Sequence, residues 1–343
     1  NGRNGDRPVT YQWGFTHPEE DEGKMHAGGS PTPLGPYGFW LQEQGLYQTF
    51  HKDYAARSKA GWVDAMHDSP LPTHAFEDVY IGNRAVKWLE TIPDDFPWHY
   101  FVSFVGPHDP FDPPTDYADR FRDRPMPEPI KDTLEGKPRS AKQSDRGLTP
   151  EQVAISRRQY CALIALIDDA IGNMMDALEK RGMLDTTIVI FGSDHGEMLG
   201  DHGMYTKSKP YEGAVRVPLV FAGPGIQPGV VSDALAELID VNPTICDFAG
   251  LPPQEDIDAQ SLVPLMAGES QTARSETVSA MRNLRCIRTD QYKYIQNYND
   301  IDELYDLHTD PSELHNIAGE NPDVVKALSK RMVQRYTEGK WLR

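Results

Sequence analysis

Residues 188–225 read IVIFGSDHGEMLGDHGMYTKSKPYEGAVRVPLVFAGPG. The run begins with Ile188, Val189, Ile190 and Phe191, β-branched or aromatic residues with no polar break. Such a run suits a strand covered on both faces. It stops at Gly192, and Ser193, Asp194, His195, Gly196 and Glu197 follow at once. A second apolar run, residues 217–221, ends in Gly223, Pro224 and Gly225. Polar residues placed just after a strand sit where open α/β sheets bind their ligands.

The same alternation extends upstream. Val79, Ile81, Ala85, Trp88, Leu89 and Ile92 fall at helical spacing over residues 77–92. Residues 100–105 (YFVSFV) read as a short strand, followed by Gly106, Pro107, His108, Asp109 and Pro110. The next helix has a marked start, with Thr149 as N-cap, Pro150 at the first position and Gln152 completing a capping box. Leu163, Ile167, Ile171, Met174 and Leu178 form its apolar stripe, and Gly182 is placed to stop it. Short strands between amphipathic helices predict an α/β fold with a mostly parallel central sheet and helices on both faces, over residues 1–274. Beyond that, residues 281–288 and 292–297 read as an antiparallel hairpin, and residues 321–336 as a helix capped by Asn321. A smaller C-terminal α+β subdomain with an antiparallel sheet is therefore expected over residues 275–343. Gly and Pro cluster in residues 26–38, 107–114 and 123–147, which read as surface loops.

The chain has 343 residues, and 34 basic against 52 acidic side chains leave a net charge of −18. That balance argues against nucleic acid or an anionic membrane surface as a partner. No apolar run is long enough to span a bilayer. The opening residues Asn1 to Asp6 are polar and lack the apolar centre of a signal peptide. Cys161, Cys246 and Cys286 allow at most one disulfide, so the redox compartment stays open.

Asp194-His195-Gly196 is repeated seven residues on as Asp201-His202-Gly203. Carboxylate and imidazole together suit a divalent cation; the alternative is a hydrogen-bonded loop in which they cap turns. The position after a strand favours ligation by Asp194 and His195 over Asp201 and His202. Lys207 can hold an oxyanion as a point charge or be a solvated surface residue, and the same holds for Lys209. His108, between two prolines, can act as a general acid or brace its turn. Lys24 and His26 would project to one side of an extended segment and could grip an anion there, although Lys-x-His pairs also arise by chance. Trp40, Tyr47 and Phe111 can stack on a ring or simply pack.

Taken in order, these pieces resemble the sulfatase branch of the alkaline-phosphatase-like superfamily. The resemblance rests on Gly23-Lys24-Met25-His26, Tyr37-Gly38-Phe39, residues 100–114, residues 188–225, residues 240–250 (DVNPTICDFAG) and residues 288–317. It implies that Asp194 and His195 are a pair of metal ligands, with Ca²⁺ first and Mg²⁺ or Mn²⁺ as alternatives. It implies that Lys207, Lys24, His26 and His108 bind the sulfate group and act in catalysis, with His108 or His26 protonating the leaving oxygen. The family nucleophile is a formylglycine made from a Cys/Ser-x-Pro-x-Arg motif. No such motif occurs in the sequence: the nearest, Ser208-Lys209-Pro210-Tyr211-Glu212, ends in Glu. The expectation is a sulfatase whose formylglycine, with the first pair of Asp ligands, lies in an N-terminal segment outside these residues. Its partner would be a small-molecule or saccharide sulfate ester, and a homo-oligomer is compatible with it. A phosphonate monoester hydrolase or phosphodiesterase of the same superfamily, and a non-catalytic truncated relative, are the alternatives. Localisation stays open, with the periplasm or secretion ahead of the cytoplasm.

Overall fold

Pro150–Lys180 is a helix of 31 residues, and its first turn is fixed as the sequence predicts. The Gln152 amide donates to the Thr149 hydroxyl oxygen, and the Thr149 amide donates to the Gln152 side-chain oxygen. Gly182, with φ +67°, follows the last turn. The structure, a computed structural model, describes residues 14–281 and 283–338; the polar opening residues Asn1 to Asp6 lie outside them. The described chain forms two compact units. One comprises residues up to Glu128 together with Thr149–Asp185, the other Pro129–Leu148 together with Thr186 onward.

The first unit is helical: α1 (Lys24–Gly29), α2 (Pro36–Glu43), α3 (Tyr47–Arg57), α4 (Glu77–Thr91) and α5 (Thr115–Asp119) precede the long helix. The four-residue α6 (Arg139–Lys142) belongs to the second unit, so Pro150–Lys180 is α7. Tyr37, Leu41, Tyr47, Phe50, Tyr54 and Tyr80 build an aromatic core among α2, α3 and α4. Leu89 of α4 meets Ala177 and Leu178 of α7 in a second cluster. Tyr47 and Phe111 are buried, and Trp40 lies against Tyr80 with ring centroids 5.1 Å apart, so all three pack.

Two expectations change here. Residues 26–38 are not one loop, because α1 and α2 occupy most of them. Residues 100–105 form no strand. The amides of Val105 and Gly106 donate instead to Asp78 Oδ1 on α4, at 2.8 and 2.9 Å. Only glycine allows this approach, since a Cβ at position 106 would lie 2.5 Å from Asp78 Oδ2.

In the second unit β1 (Val189–Gly192) pairs with β2 (Leu219–Ala222), Val189 opposite Ala222 and Gly192 opposite Leu219. The pairing is antiparallel, so the parallel order expected of the central sheet is not found among the described strands. The α/β character and the C-terminal antiparallel sheet stand. Between β1 and β2 lies α8 (Glu212–Val215), and α9 (Val241–Phe248) and α10 (Val263–Met266) follow. β3 (Glu276–Met281), β4 (Leu284–Thr289), β5 (Tyr292–Asn297) and β6 (Glu303–Asp306) form an antiparallel sheet in chain order, followed by α11 (Pro322–Glu338).

Strand alternation sorts that sheet's two faces. Ile287, Tyr294 and Leu304 pack with Leu328, Met332 and Tyr336 of α11. Leu284, Cys286, Ile295 and Tyr305 pack on the other side with Met198, Met204, Tyr211 and Ala214. The polar loop after β1 is thereby seated on the C-terminal sheet. Cys161, Cys246 and Cys286 are all free thiols. Among the described residues no helix is long and apolar enough to cross a membrane.

Candidate active site

Asp194 and His195 stand in the loop directly after β1, as the sequence predicts. The His195 amide donates to Asp194 Oδ1 at 2.9 Å, and Ser193 Oγ donates to the His195 carbonyl at 2.8 Å. His195 Nδ1 lies 2.8 Å from the Gly196 carbonyl. A carbonyl only accepts, so the proton sits on Nδ1 and the Nε2 lone pair is available as a ligand. The Gly196 amide donates to the Ala214 carbonyl at 2.8 Å, which ties the loop to α8. A Cβ at position 196 would lie 2.2 Å from the Gly213 carbonyl oxygen, so glycine is required there.

Asp194 Oδ2 lies 3.6 Å from His195 Nε2. Two ligands, each about 2.4 Å from one ion, stand up to about 4.8 Å apart, so both donors can reach the same cation. The Asp194 side chain is 85% exposed and His195 34%. Among the described residues no group of three His, Cys, Asp or Glu side chains is placed to hold a metal. The two residues fit as part of a ligand set and do not make one alone.

The second triplet has a different role. The Ile130 amide donates to Asp201 Oδ1 at 2.8 Å. His202 Nδ1 lies 2.7 Å from Asp132 Oδ2, with both side chains buried, and its ring stacks on Tyr211. Asp201 and His202 brace the loop against residues 130–132. Between the triplets and α8, Glu197 Oε1 accepts the Thr206 amide, and the Met198 amide donates to the Thr206 carbonyl at 3.2 Å. Lys207 comes next and is half-buried. It lines a cleft of about 1760 Å³ together with Asp194, His195, Glu212, Arg216 and Arg288.

In the first unit Lys24 and His26 diverge. Two residues apart on the helix α1 they are about 200° apart around the axis, not on one side as in an extended segment. Lys24 is buried, and Nζ donates to the Pro110 carbonyl and to Asp112 Oδ1, each at 2.7 Å. Tyr54 donates its hydroxyl to Asp112 Oδ2 at 2.6 Å. His26 is half exposed, with Nδ1 3.8 Å from Glu22. His108 is 42% exposed, and its Nδ1 lies 2.8 Å from the Asp109 carbonyl. The Lys24–Asp112 pair therefore joins the turn carrying His26 to the loop carrying His108. Sequence reasoning missed Asp112, an acidic residue among prolines with no spacing signal of its own.

Beneath this pair lies a group of buried acids. Glu77 is 2% exposed, and among the described residues neither of its carboxylate oxygens has a hydrogen-bond partner, nor has Asp78 Oδ2. Burial, and then the charge of Asp78, push Glu77 well above the ordinary carboxylate range. Burial also pushes Asp21 up to about 6 against the hydrogen bond it accepts from the Tyr37 amide.

The sulfatase family model matches residues 35–251, and the model for the C-terminal part of N-sulphoglucosamine sulphohydrolase matches residues 200–338. The chain belongs to the sulfatase family. A choline-sulfatase of Rhizobium meliloti is 36% identical over 265 residues, covering 72% of this chain and 51% of that protein. The chain thus spans about half the length of that relative. Among solved structures, BT4656 in complex with its substrate D-glucosamine-2-N,6-O-disulfate superposes with a TM-score of 0.69 at 26% identity, covering 76% of this chain and 69% of that one. The phosphonate monoester hydrolase of Agrobacterium radiobacter gives a TM-score of 0.74 at 25% identity, over 88% of this chain and 69% of the other.

Proposed function

We propose that the protein acts as a sulfuric ester hydrolase on a sulfated saccharide, with Lys207 holding the sulfate group and Asp194 and His195 supplying two ligands of a divalent cation. The observation that carries this is local: the Gly196–Ala214 and Met198–Thr206 hydrogen bonds lead Asp194, His195 and Lys207 to one cleft in a chain of this family. A divalent cation there, Ca²⁺ by family resemblance, would stabilise negative charge on the sulfate oxygens. The Lys207 ammonium offers a compact charge to those oxygens. His26 and His108 are the proton donors that the resemblance implies for the leaving oxygen, and both keep solvent-accessible rings. Lys24 can serve an anion only by releasing Asp112, because its charge is committed to that carboxylate and to the Pro110 carbonyl. The formylglycine nucleophile that the resemblance implies is assigned to a segment outside these residues. The glucosamine disulfate bound by BT4656 supports a saccharide as substrate class.

Titration of the chain with inorganic sulfate and with glucosamine 6-sulfate, with and without Ca²⁺, tests the reading. Sulfate binding that Ca²⁺ strengthens and Lys207→Ala weakens at least ten-fold is expected. Absence of binding under both conditions overturns the assignment. Turnover of 4-nitrophenyl sulfate by these 343 residues alone would refute an external nucleophile. The superposition on the phosphonate monoester hydrolase supports a second reading. Stronger binding of phenylphosphonate than of sulfate would favour it.

A further inference from the structure

Lys293 stands on β5 at a position whose alternation points into the core, opposite Arg288 on one neighbouring strand and Tyr305 on the other. It is fully buried, where a lone ammonium is strongly disfavoured. Its Nζ lies 2.6 Å from Glu212 Oε1 and 2.7 Å from Glu313 Oε1, and donates to the Pro210 carbonyl at 3.0 Å. Glu313 in turn accepts the Glu212 amide at 2.7 Å. Arg288 Nε stands 3.5 Å from Glu212, so two cations face two carboxylates. Burial opposes charge on Lys293, yet Glu313 and Glu212 hold its pKa above the ordinary lysine value. The residue between the anchored positions is held as firmly: Tyr211 donates its hydroxyl to Glu303 at 2.6 Å, and Lys137 lies over the Tyr211 ring at 4.5 Å.

Three consecutive residues, Pro210, Tyr211 and Glu212, are thus gripped by charged side chains of the C-terminal sheet and of residues 137 and 313. They follow Lys207 by three to five residues and lead into α8, whose Ala214 carbonyl holds the His195–Gly196 loop. An apolar strand face packs without charges; a buried ammonium between two carboxylates is a more directional fastening. We propose that Lys293 is a positioning residue for Lys207, fixing the 207–212 segment against the cleft through Pro210, Glu212 and Glu313. The proposal rests on the reading of Lys207 as the sulfate ligand.

The test compares the full chain with Lys293→Met and with the double variant Lys293→Met/Glu313→Gln. The single variant leaves two carboxylates facing no ammonium and lowers thermal stability. The double variant removes one charge of each sign, so stability recovers toward that of the parent. Positioning does not recover, because Pro210 and Glu212 still lack their holder. The expected result for the double variant is inorganic sulfate bound at least ten-fold more weakly, with amide exchange over residues 204–216 at least ten-fold faster and α7 unchanged. Sulfate affinity that returns together with stability would show a purely structural role and overturn the proposal. Should the parent chain bind no sulfate, the reading of Lys207 fails by itself. Amide exchange over residues 204–216 in the double variant then decides the fastening alone, and unchanged exchange refutes it.

Discussion

The Lys24 ammonium sits 2.7 Å from the Asp112 carboxylate, 88 residues further along the chain, with both side chains buried. Removing one partner of such a pair strands the other. Asp112→Ala should cost about 3–5 kcal/mol of unfolding free energy in urea, and the double variant Lys24→Met/Asp112→Ala markedly less than the sum of the two single changes. A loss below about 1 kcal/mol for Asp112→Ala would mean that the pair is solvated like a surface ion pair.

Glu77 makes an opposite prediction. Its pKa is raised on folding, so the folded state holds the proton at pH values where the unfolded chain has released it. This group's contribution is fully present below the unfolded carboxylate pKa and declines as pH rises from there toward the folded value. Glu77→Gln cannot ionise and lacks that decline. Stability relative to the parent should therefore grow between pH 5 and pH 8, read as the difference in Tm across that range. A constant difference would show that Glu77 is satisfied in the folded protein.

Local rules were the most legible part of the sequence. The start of α7 follows from four residues with one possible bonding pattern. Thr149→Ala should lower stability by about 1 kcal/mol, with exchange rising first at the amides of the initial turn. The two strands of the hairpin and α11 also lie close to their predicted bounds, because alternation and an Asn-Pro start are local signals. Lys24 and His26 show where such signals end. The same two residues project to one side of a strand and to separate sides of a helix, and the short pattern of α1 does not choose between them. Lys293 was unreadable as a site residue for another reason. Its partners lie 81 positions before it and 20 after it, and only the folded sheet brings Glu212 and Glu313 together. The strand expected at residues 100–105 failed because a carboxylate on α4 had taken its terminal amides, an interaction that apolar patterning does not register.

The repeated Asp-His-Gly triplet allows the metal and structural roles to be separated by experiment. Asp194 is largely exposed, and its carboxylate accepts only the neighbouring His195 amide among the described hydrogen bonds. Asp194→Asn should change stability by no more than about 0.5 kcal/mol, the usual range for an exposed site. If it is a ligand, the same change should weaken Ca²⁺ binding at least ten-fold in calorimetric titration, and His195→Ala should do likewise. His202 is buried against Asp132 and Tyr211. His202→Ala leaves the Asp132 carboxylate without this partner and opens space beside the Tyr211 ring, so a loss of about 2–4 kcal/mol is expected. In protein that remains folded, that variant should retain Ca²⁺ affinity within about three-fold, because the His202 contacts are to Ile130, Asp132 and Tyr211 and brace the loop. Equal loss of Ca²⁺ binding in Asp194→Asn and in folded His202→Ala would instead mean that the two triplets act as one site, against the separation of their hydrogen-bond partners.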